Sequence, residues 1–486
     1  MGKALTRRSF LCGSAAFGMS ALPAFGWPRW LGGGESRPSS LRLRLGVVSD
    51  IHIDAPKGDF MIFGDTTTFE VTLRYFRSRG VDGVVIAGDM ADCGMRNQLQ
   101  SVADAWERVF PDGFGDDGKK VEKLFIFGNH DMEGCRNWGF DKRYAHKPSF
   151  YREVIATDPK RAWEDIFHEP YAPIWTKVVR GYRFVGAHWK PKHPEGVSEI
   201  ASWFDEHARE IDPSLPFFYI QHQHPKDTCH LANVWGADNG LSTRVLSRFP
   251  NSVAFSGHSH IPLTDPSAIW QGAFTSVGCG SLRFAGGIFP LAPAGENGWE
   301  NSRDDGLMPK YEGTWDSRQG MVLDVYDDHM VFERRDFLHE AEKVGDDWVV
   351  PIGPDAPKPF VPAANRLWNV APEFPPKATL SLTYGQTRPV CGGDPVPSVT
   401  LTFPAATGVE GARTYDWELA CRHGTRRVFV RHVTDYNCRR ALSRALGPVE
   451  IVLPKAYFPA GASVLAVSPR GYNGKVGKPL EVKVCI

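Results

Sequence analysis

The stretch Leu-Phe-Ile-Phe-Gly-Asn-His-Asp at residues 124–131 joins a short apolar run to a glycine and three polar side chains. An apolar run of this length, bounded by turn residues, indicates a buried strand that ends in a loop. Gly128 permits a sharp turn, Asn129 offers an amide oxygen to a cation, and His130 gains or loses a proton near neutral pH. The stretch therefore predicts a reactive loop at the end of a strand.

The same change from an apolar run to polar side chains recurs at four other places. These runs end at Asp50 and His52, at Asp89, at His222, and at His258 and His260. Sites of open α/β sheets form outside the carboxyl ends of the strands, where side chains distant in sequence meet. Carboxylate, imidazole and amide oxygen, without cysteine, are ligands for borderline or hard divalent metals.

The sequence pattern of residues 1–26 predicts a segment that is removed from the mature protein. Thr6-Arg-Arg-Ser-Phe-Leu11 is followed by an apolar, small-residue run to Phe25, which resembles a twin-arginine export signal. The alternative, a membrane anchor, is disfavoured because the run is shorter than the roughly 20 residues that cross a bilayer. We expect export by the twin-arginine route to the periplasm or the cell exterior, with no transmembrane segment in the mature chain.

Composition limits the partners of the chain. The 486 residues suffice for two domains, and 56 Lys and Arg balance 56 Asp and Glu. A chain without net charge is not expected to track the phosphates of nucleic acid, so no nucleic-acid partner is expected. An oxidising compartment would permit disulfides among the sparse cysteines, but their pairing stays open. Buried free thiols are an equal alternative for Cys93, Cys135, Cys229 and Cys279.

Patterning divides the rest of the chain into four parts. These are a linker at residues 27–40, a domain at 41–337, a linker or strap at 338–377, and a C-terminal domain at 378–486. The first domain alternates apolar runs with helical patterns, which indicates mixed sheets covered by helices. The helical patterns cover residues 67–79, 98–110, 149–156, 161–168 and 198–210. The C-terminal part has short alternating runs that favour a small β-sandwich, and its end resembles the last strands of fibronectin type III domains.

Together, the five polar endings resemble the calcineurin-like metallophosphoesterase superfamily. The matching order is Asp50-x-His52, Gly88-Asp89, Gly128-Asn129-His130-Asp131, His222 and Gly257-His258-x-His260. The resemblance extends from residue 44 to about residue 336. It implies an α/β fold, a four-layer α/β/β/α sandwich of mixed sheets, and metal-dependent hydrolysis of phosphoric esters.

The resemblance also implies a role for each residue. Asp50, His52 and His260 would hold one divalent metal, Asn129, His222 and His258 would hold a second, and Asp89 would bridge the two. The metals would be Mn, Zn or Fe, and a shared carboxylate offsets the repulsion of two cations about 4 Å apart. A hydroxide bridging them would attack phosphorus in line. His130 would face the leaving-group or phosphoryl oxygen, oriented by Asp92, whose alternative role is a helix N-cap.

Two departures from the family pattern matter. Family members commonly place the ligand histidine two residues before a proline, but Gln223 stands there, between His222 and His224. His222 is preferred as the ligand because it directly ends the apolar run. His224 would then support the ligands from behind or face the substrate, and the two assignments could be reversed. Asp92 stands where purple acid phosphatases have a tyrosine, which argues against a ferric, purple centre.

The predicted function is an exported phosphoesterase that acts on a small phosphate ester, such as a nucleotide, a lipid head group or a sugar phosphate. Trp189 can stack on the organic part and Arg136 can clamp a phosphate, with packing and solvation as their alternative roles. Monoester and diester both stay open. A metal-dependent nuclease is disfavoured by the neutral charge. A secreted binding or adhesion protein, working through its C-terminal domain, is the other alternative.

Overall fold

The computed structural model describes most of the chain after the predicted linker. The described residues are 39–53, 66–133, 158–190, 199–229, 237–283, 317–353, 355–361, 370–388, 394–408, 412–434, 438, 440–472 and 474–484. The export signal, Arg136 and the helix predicted at residues 149–156 lie outside the described residues. Among the helices of the described ranges, none is both long and apolar enough to cross a membrane.

The described part of residues 41–351 contains thirteen strands and six α-helices. The strands are β1 (Leu41–Val48), β2 (Gly83–Ala87), β3 (Glu122–Ile126), β4 (Ile174–Val179), β5 (Tyr182–Ala187), β6 (Phe217–Ile220), β7 (Ser252–Ser256), β8 (Ile269–Gln271), β9 (Thr275–Gly278), β10 (Gln319–Tyr326), β11 (His329–Asp336), β12 (Glu342–Lys343) and β13 (Trp348–Pro351). The helices are α1 (Thr66–Ser78), α2 (Arg96–Val109), α3 (Asn129–Met132), α4 (Pro159–Phe167), α5 (Ile200–His207) and α6 (Leu241–Leu246).

These strands form two mixed sheets. The first has the order β12-β11-β10-β1-β2-β3, with β13 also paired to β11. The second has the order β4-β5-β6-β7-β9-β8. Strands β1, β2 and β3 run parallel in the first sheet, and β5, β6, β7 and β9 run parallel in the second. Parallel strands end at the same edge, so each sheet collects several carboxyl ends at one place.

Three apolar cores separate the layers. Leu45 and Ile126 of the first sheet meet Phe218 and Phe255 of the second in one core between the sheets. Helices α1, α2 and α4 cover the outer face of the first sheet, and α5 and α6 cover the outer face of the second. The four-layer α/β/β/α architecture with mixed sheets is thus confirmed.

The C-terminal residues form two antiparallel sheets. Their strands are β14 (Ser381–Thr387), β15 (Val396–Pro404), β16 (Asp416–His423), β17 (Arg426–Thr434), β18 (Pro448–Pro454), β19 (Val464–Arg470) and β20 (Leu480–Lys483). One sheet has the order β14-β15-β18, and the other has the order β17-β16-β19-β20. Both contribute to one core around the fully buried Trp417. We call the described residues from β14 to β20, strands and connections together, the C-terminal sheets. The likeness to fibronectin type III domains stays a prediction.

The sequence patterns and the structure differ at short elements. Helix α1 and helix α2 lie within two residues of their predicted bounds, because a long apolar stripe marks a helix clearly. Strand β4 and the six-residue helix α6 were not predicted, since so few residues carry little periodicity. Strands β12 and β13 lie within the stretch predicted as a linker or strap, and the β13 residue Trp348 is buried between the two sheets.

Cys229 and Cys279 are buried free thiols.

Candidate metal centre

The predicted ligands lie at the carboxyl ends of five strands. Asp50 and His52 follow β1, Asp89 follows β2, Asn129 follows β3, His222 follows β6, and His258 and His260 follow β7. Each of these seven residues is at most 8% exposed. Burying so many polar side chains together is costly unless a charge of opposite sign or hydrogen bonds compensate.

The ligand loops are held in an unusual backbone conformation. Asp50 (φ 53°), His52 (φ 47°), Asp89 (φ 52°), His258 (φ 69°) and His260 (φ 53°) all have positive φ. For residues other than glycine this region costs on the order of 1–3 kcal/mol each, and it persists only where the surroundings impose it. The strand ends therefore turn sharply so that their side chains point to one place.

Two glycines permit the close approach of these loops. A Cβ atom at Gly257 would collide with the Ser49 hydroxyl and with the carboxylate of Asp50. A Cβ atom at Gly128 would collide with the carboxylate and the backbone nitrogen of Asp89. Both positions need glycine because any side chain would push a predicted ligand out of place.

One group of ligand atoms surrounds Asp50. The Nε2 atom of His260 lies 3.0 Å from Oδ1 of Asp50, and the Nε2 atom of His52 lies 3.7 Å from the same oxygen. The two imidazole Nε2 atoms lie 3.1 Å apart. These three residues form one candidate metal site, with one ligand atom of each within 4.8 Å of the others.

A second group surrounds Asp89. The Nε2 atom of His222 lies 3.0 Å from Oδ2 of Asp89, and the same oxygen lies 3.6 Å from Nε2 of His52 in the first group. Asp89, His222 and His258 form a second candidate site. The Asp89 carboxylate thus lies between the two groups, where a bridging ligand belongs.

The buried ligand atoms of His222 and Asn129 show whether a metal pair fits this site. Nδ1 of His222 donates to the carbonyl oxygen of Ala87 over 2.7 Å, so Nε2, which faces Asp89, is the ring atom available to a metal. Oδ1 of Asn129 is buried without a hydrogen-bond partner among the described residues. Imidazole nitrogen, amide oxygen and carboxylate are suitable ligands for a divalent ion, so the residues fit a metal pair.

The electrostatics of the site also favour a bound cation. Burial raises the pKa values of Asp50 and Asp89, but nearby imidazoles outweigh it, including His260 for Asp50 and His222 for Asp89, so both carboxyl pKa values lie below their ordinary range. Burial lowers the pKa of His222, but Asp89 and Asp50 outweigh it and raise the pKa to about 9. Burial lowers the pKa of His258 to about 3. Two buried carboxylates thus retain one proton on His222, and a divalent ion can supply that charge instead.

Asp131 joins two of the ligand loops. Its carboxylate accepts hydrogen bonds from the backbone N–H groups of Ala91 (2.7 Å) and Gly128 (2.8 Å). Burial, followed by the charge of Asp89, raises the pKa of Asp131 to about 7. The motif residue Asp131 therefore positions the loops after β2 and β3 rather than adding a ligand.

His130 and Asp92 lie together, but not as the predicted side-chain pair. Nδ1 of His130 donates to the backbone carbonyl of Asp92 over 2.6 Å, whereas its distance to the Asp92 carboxylate is 3.9 Å. That carboxylate lies 3.3 Å from Nδ1 of His52 and contacts the guanidinium of Arg283. Asp92 does not cap α2, which begins at Arg96 with Met95 at the N-cap position. Asp92 thus orients His130 through its backbone.

Arg283 was not predicted from the sequence. It lies beyond β9, is 7% exposed, and its backbone N–H donates to the carbonyl oxygen of Asp50 over 3.0 Å. A single arginine after the last polar block has no motif around it. Only the return of this segment to β1 places it beside Asp92.

Of the three residues predicted to face the substrate, only Trp189 lies beside the ligand groups. The Trp189 ring lies 5.7 Å from His258 and 6.2 Å from His222, and its Nε1 donates to Glu133 over 2.8 Å. His224 is buried and belongs to neither ligand group. Arg136 lies outside the described residues, so its role stays a prediction.

The sequence matches a known family over this part of the chain. Residues 43–262 match the family model described as calcineurin-like phosphoesterase. Residues 43–262 are a calcineurin-like metallophosphoesterase domain. With both ligand groups intact, this domain is a metal-dependent phosphoesterase with a buried His and Asp dimetal site.

Solved structures and curated proteins add little to this metallophosphoesterase assignment. A dimetal phosphatase from Danio rerio is 13% identical, with 65% of this chain and 100% of that chain covered and a TM-score of 0.34. A purple acid phosphatase from yellow lupin (Lupinus luteus) seeds is 13% identical, with 64% and 54% covered and a TM-score of 0.39. No curated protein matches the chain significantly. The assignment rests on the family match and the ligand geometry.

Proposed function

We propose that this chain is an exported phosphoesterase that hydrolyses a small phosphomonoester or phosphodiester with two divalent metal ions. The observation that carries the proposal is the Asp89 carboxylate, which lies between two buried ligand groups, 3.0 Å from His222 and 3.6 Å from His52. Asp50, His52 and His260 would hold one ion, and Asn129, His222 and His258 the other. When bound, the two ions supply an activated water nucleophile and offset the charge that develops on the phosphoryl oxygens.

His130 is placed to donate a proton to the substrate or to accept one from it. Because a carbonyl oxygen only accepts, its bond to Asp92 keeps the proton on Nδ1 and leaves Nε2 as the reactive atom. This Nε2 lies 3.9 Å from Oδ2 of Asp89 and so faces the cluster. Burial lowers the pKa of His130 to about 3, so in the metal-free site the ring is neutral. We propose that Nε2 contacts the leaving-group or phosphoryl oxygen.

Trp189 supports a substrate with an organic group beyond the phosphate. Its ring lies against His258 and His222, and its indole N–H is held by Glu133. A held aromatic ring beside the ligands provides a flat apolar surface for a base, a sugar or a lipid head group. Trp189→Ala is expected to raise KM with a smaller effect on kcat, because the ring touches the substrate and not the reacting atoms.

The twin-arginine pair at residues 7 and 8 supports export of the folded chain. Changing both arginines to lysine is expected to retain the protein in the cytoplasm, as measured by cell fractionation. A variant that still reaches the periplasm or the medium would contradict this route.

The central test measures metal content and hydrolysis together. Protein from an exporting host is assayed for bound metals and for hydrolysis of p-nitrophenyl phosphate and bis-p-nitrophenyl phosphate, as wild type and as Asp89→Asn. Asp104→Asn, an exposed carboxylate on α2, is the matched control. We expect two metals in the wild type and in the control, and fewer metals with lost activity in Asp89→Asn.

The outcomes separate the candidate functions. The preferred substrate decides between monoester and diester. Salt-dependent cleavage of single- or double-stranded nucleic acid, with neither small ester hydrolysed, would replace this proposal by the nuclease. A wild type without bound metal would refute the dimetal site itself.

A further inference from the structure

The loop that carries His258 and His260 needs support from outside. Both residues have positive φ, 69° and 53°, which a loop of non-glycine residues does not adopt unless its neighbours impose it. Within the loop, the N–H of Gly257 donates to the carbonyl of His222 over 2.9 Å and the N–H of Ser259 donates to the carbonyl of Gly257 over 2.8 Å. The residues that follow His260 are therefore one determinant of where its ring lies, beside its contacts with Asp50 and His52.

Part of that support comes from the first mixed sheet and the loop after β1. The backbone N–H of His258 donates to the Asp50 carboxylate over 2.9 Å. Further along, the N–H of Leu263 donates to the side chain of Gln319 over 2.6 Å, and the carbonyl of Leu263 accepts from the buried Arg334. These bonds hold one side of residues 257–263.

The other side of the same segment contacts the C-terminal sheets. Ile261, directly after His260, is 6% exposed and packs in one apolar cluster with Tyr415, Cys438 and Tyr472. The Thr264 hydroxyl donates to the backbone carbonyl of Cys438. The Tyr472 hydroxyl donates to the same carbonyl over 3.1 Å and lies 3.4 Å from the Thr264 hydroxyl.

The contacting surface of the C-terminal sheets is itself well fixed. The Tyr415 and Tyr472 rings pack 5.0 Å apart, and the N–H of Tyr415 donates to the carbonyl of Arg470 over 2.8 Å. Arg470 forms a buried ion pair with Asp416, in which Nε donates to the carboxylate over 2.8 Å. A surface held by such bonds can transmit a fixed position to Ile261 and Thr264.

We propose that the C-terminal sheets position the His258–His260 ligand loop, with Thr264 and Tyr472 as positioning residues for the metal site that includes His260. This inference rests on the proposed dimetal function, because it assigns the C-terminal sheets a role in that same site. Side chains hydrogen-bonded directly to metal ligands change metal affinity by about 10- to 100-fold when removed, and Thr264, which acts through the chain after His260, is expected at the lower end of that range. The C-terminal sheets are then part of the enzyme's working structure rather than an independent binding module.

A second contact between the same two parts provides the control. The N–H of Leu442 donates to the carbonyl of Val344 over 2.7 Å, and Arg444 forms an ion pair with Glu342 at 2.8 Å. This contact involves β12 and not the ligand loop. Arg444→Gln therefore removes one ion pair between the two parts without touching residues 257–264.

The test compares Thr264→Val, Thr264→Ser and Arg444→Gln in the full chain. Mn²⁺ is titrated into metal-free protein, the two affinities are resolved, and thermal unfolding is measured without metal. Thr264→Val keeps the shape and removes the hydroxyl, whereas Thr264→Ser keeps the hydroxyl. We expect Thr264→Val to weaken one of the two Mn²⁺ affinities about tenfold, with Thr264→Ser and Arg444→Gln close to wild type.

The remaining outcomes are distinct. Equal Mn²⁺ affinities in Thr264→Val and Arg444→Gln would overturn the positioning role and leave the dimetal function intact. Failure of the wild type to bind two ions would instead overturn the proposed function. If Thr264→Val does not fold, Tyr472→Phe decides, since it removes only a hydroxyl: a weakened single Mn²⁺ affinity supports the inference, and two unchanged affinities overturn it.

Discussion

His188 provides a prediction whose size follows from the structure. Its ring is 1% exposed, packs 4.5 Å from Trp163 and 4.9 Å from Tyr171, and accepts at Nδ1 a hydrogen bond from the N–H of Phe127 over 3.0 Å. Phe127 lies two residues before Asn129, so His188 supports the end of β3. Burial, with a smaller contribution from Lys177, lowers the pKa of His188 from 6.5 to about 3.

The sign of the effect follows from comparing folded and unfolded chains. Above pH 6.5 His188 is neutral in both states and adds no pH dependence. Between pH 6.5 and 3 the unfolded chain binds a proton that the folded chain does not, so folding stability falls by about 1.4 kcal/mol per pH unit. The loss from this residue is about 2 kcal/mol at pH 5 and about 5 kcal/mol at pH 3.

The assay is urea unfolding of wild type and His188→Gln at pH 7, 6 and 5. Glutamine can accept the Phe127 hydrogen bond but does not titrate, so the difference in unfolding free energy should shift by about 2 kcal/mol toward the variant between pH 7 and pH 5. His423→Gln, at an exposed histidine, is the control and should show no such shift. Parallel stability curves for wild type and His188→Gln would refute the buried, neutral state of His188.

The remaining predictions concern the metal centre. His222→Ala should lose one of two bound metals while His224→Ala keeps both, and the reverse result would exchange their roles. Gly257→Ala should weaken metal binding by at least about tenfold because its Cβ displaces the Asp50 carboxylate, whereas Gly447→Ala, whose Cβ enters open space, should not. Asp92→Asn and Arg283→Met should each lower the unfolding free energy by about 2 kcal/mol, and the double variant by less than their sum, whereas strict additivity would show that the pair is not coupled.

Much of the site was predictable because local patterns define it. Each ligand block consists of a short apolar run and a polar ending within ten residues, and such blocks survive in the sequence whatever the rest of the chain does. Long amphipathic helices such as α1 and α2 were predictable for the same reason. Short elements such as α6 were not, because tertiary contacts and not periodicity stabilise them.

The partners of individual side chains were not predictable. Asp92 was expected to pair with His130, but the return of residues 281–283 to β1 brings Arg283 to it instead. His188 carries no motif in the sequence, and only the structure shows that it lies in the core beneath β3. Such pairings join residues far apart in sequence, and packing alone selects among them.

The sequence by itself determined the kinds of ligand, their order along the chain and the strand ends that carry them, because these depend on residue type and local hydrophobic pattern. Only the tertiary structure decided which histidine after β6 enters the cluster, where Arg283 lies, and that the C-terminal sheets contact the loop after His260. Those outcomes depend on the crossing of distant segments. A sequence pattern carries no information about such crossings, because they form only when the two sheets pack against each other.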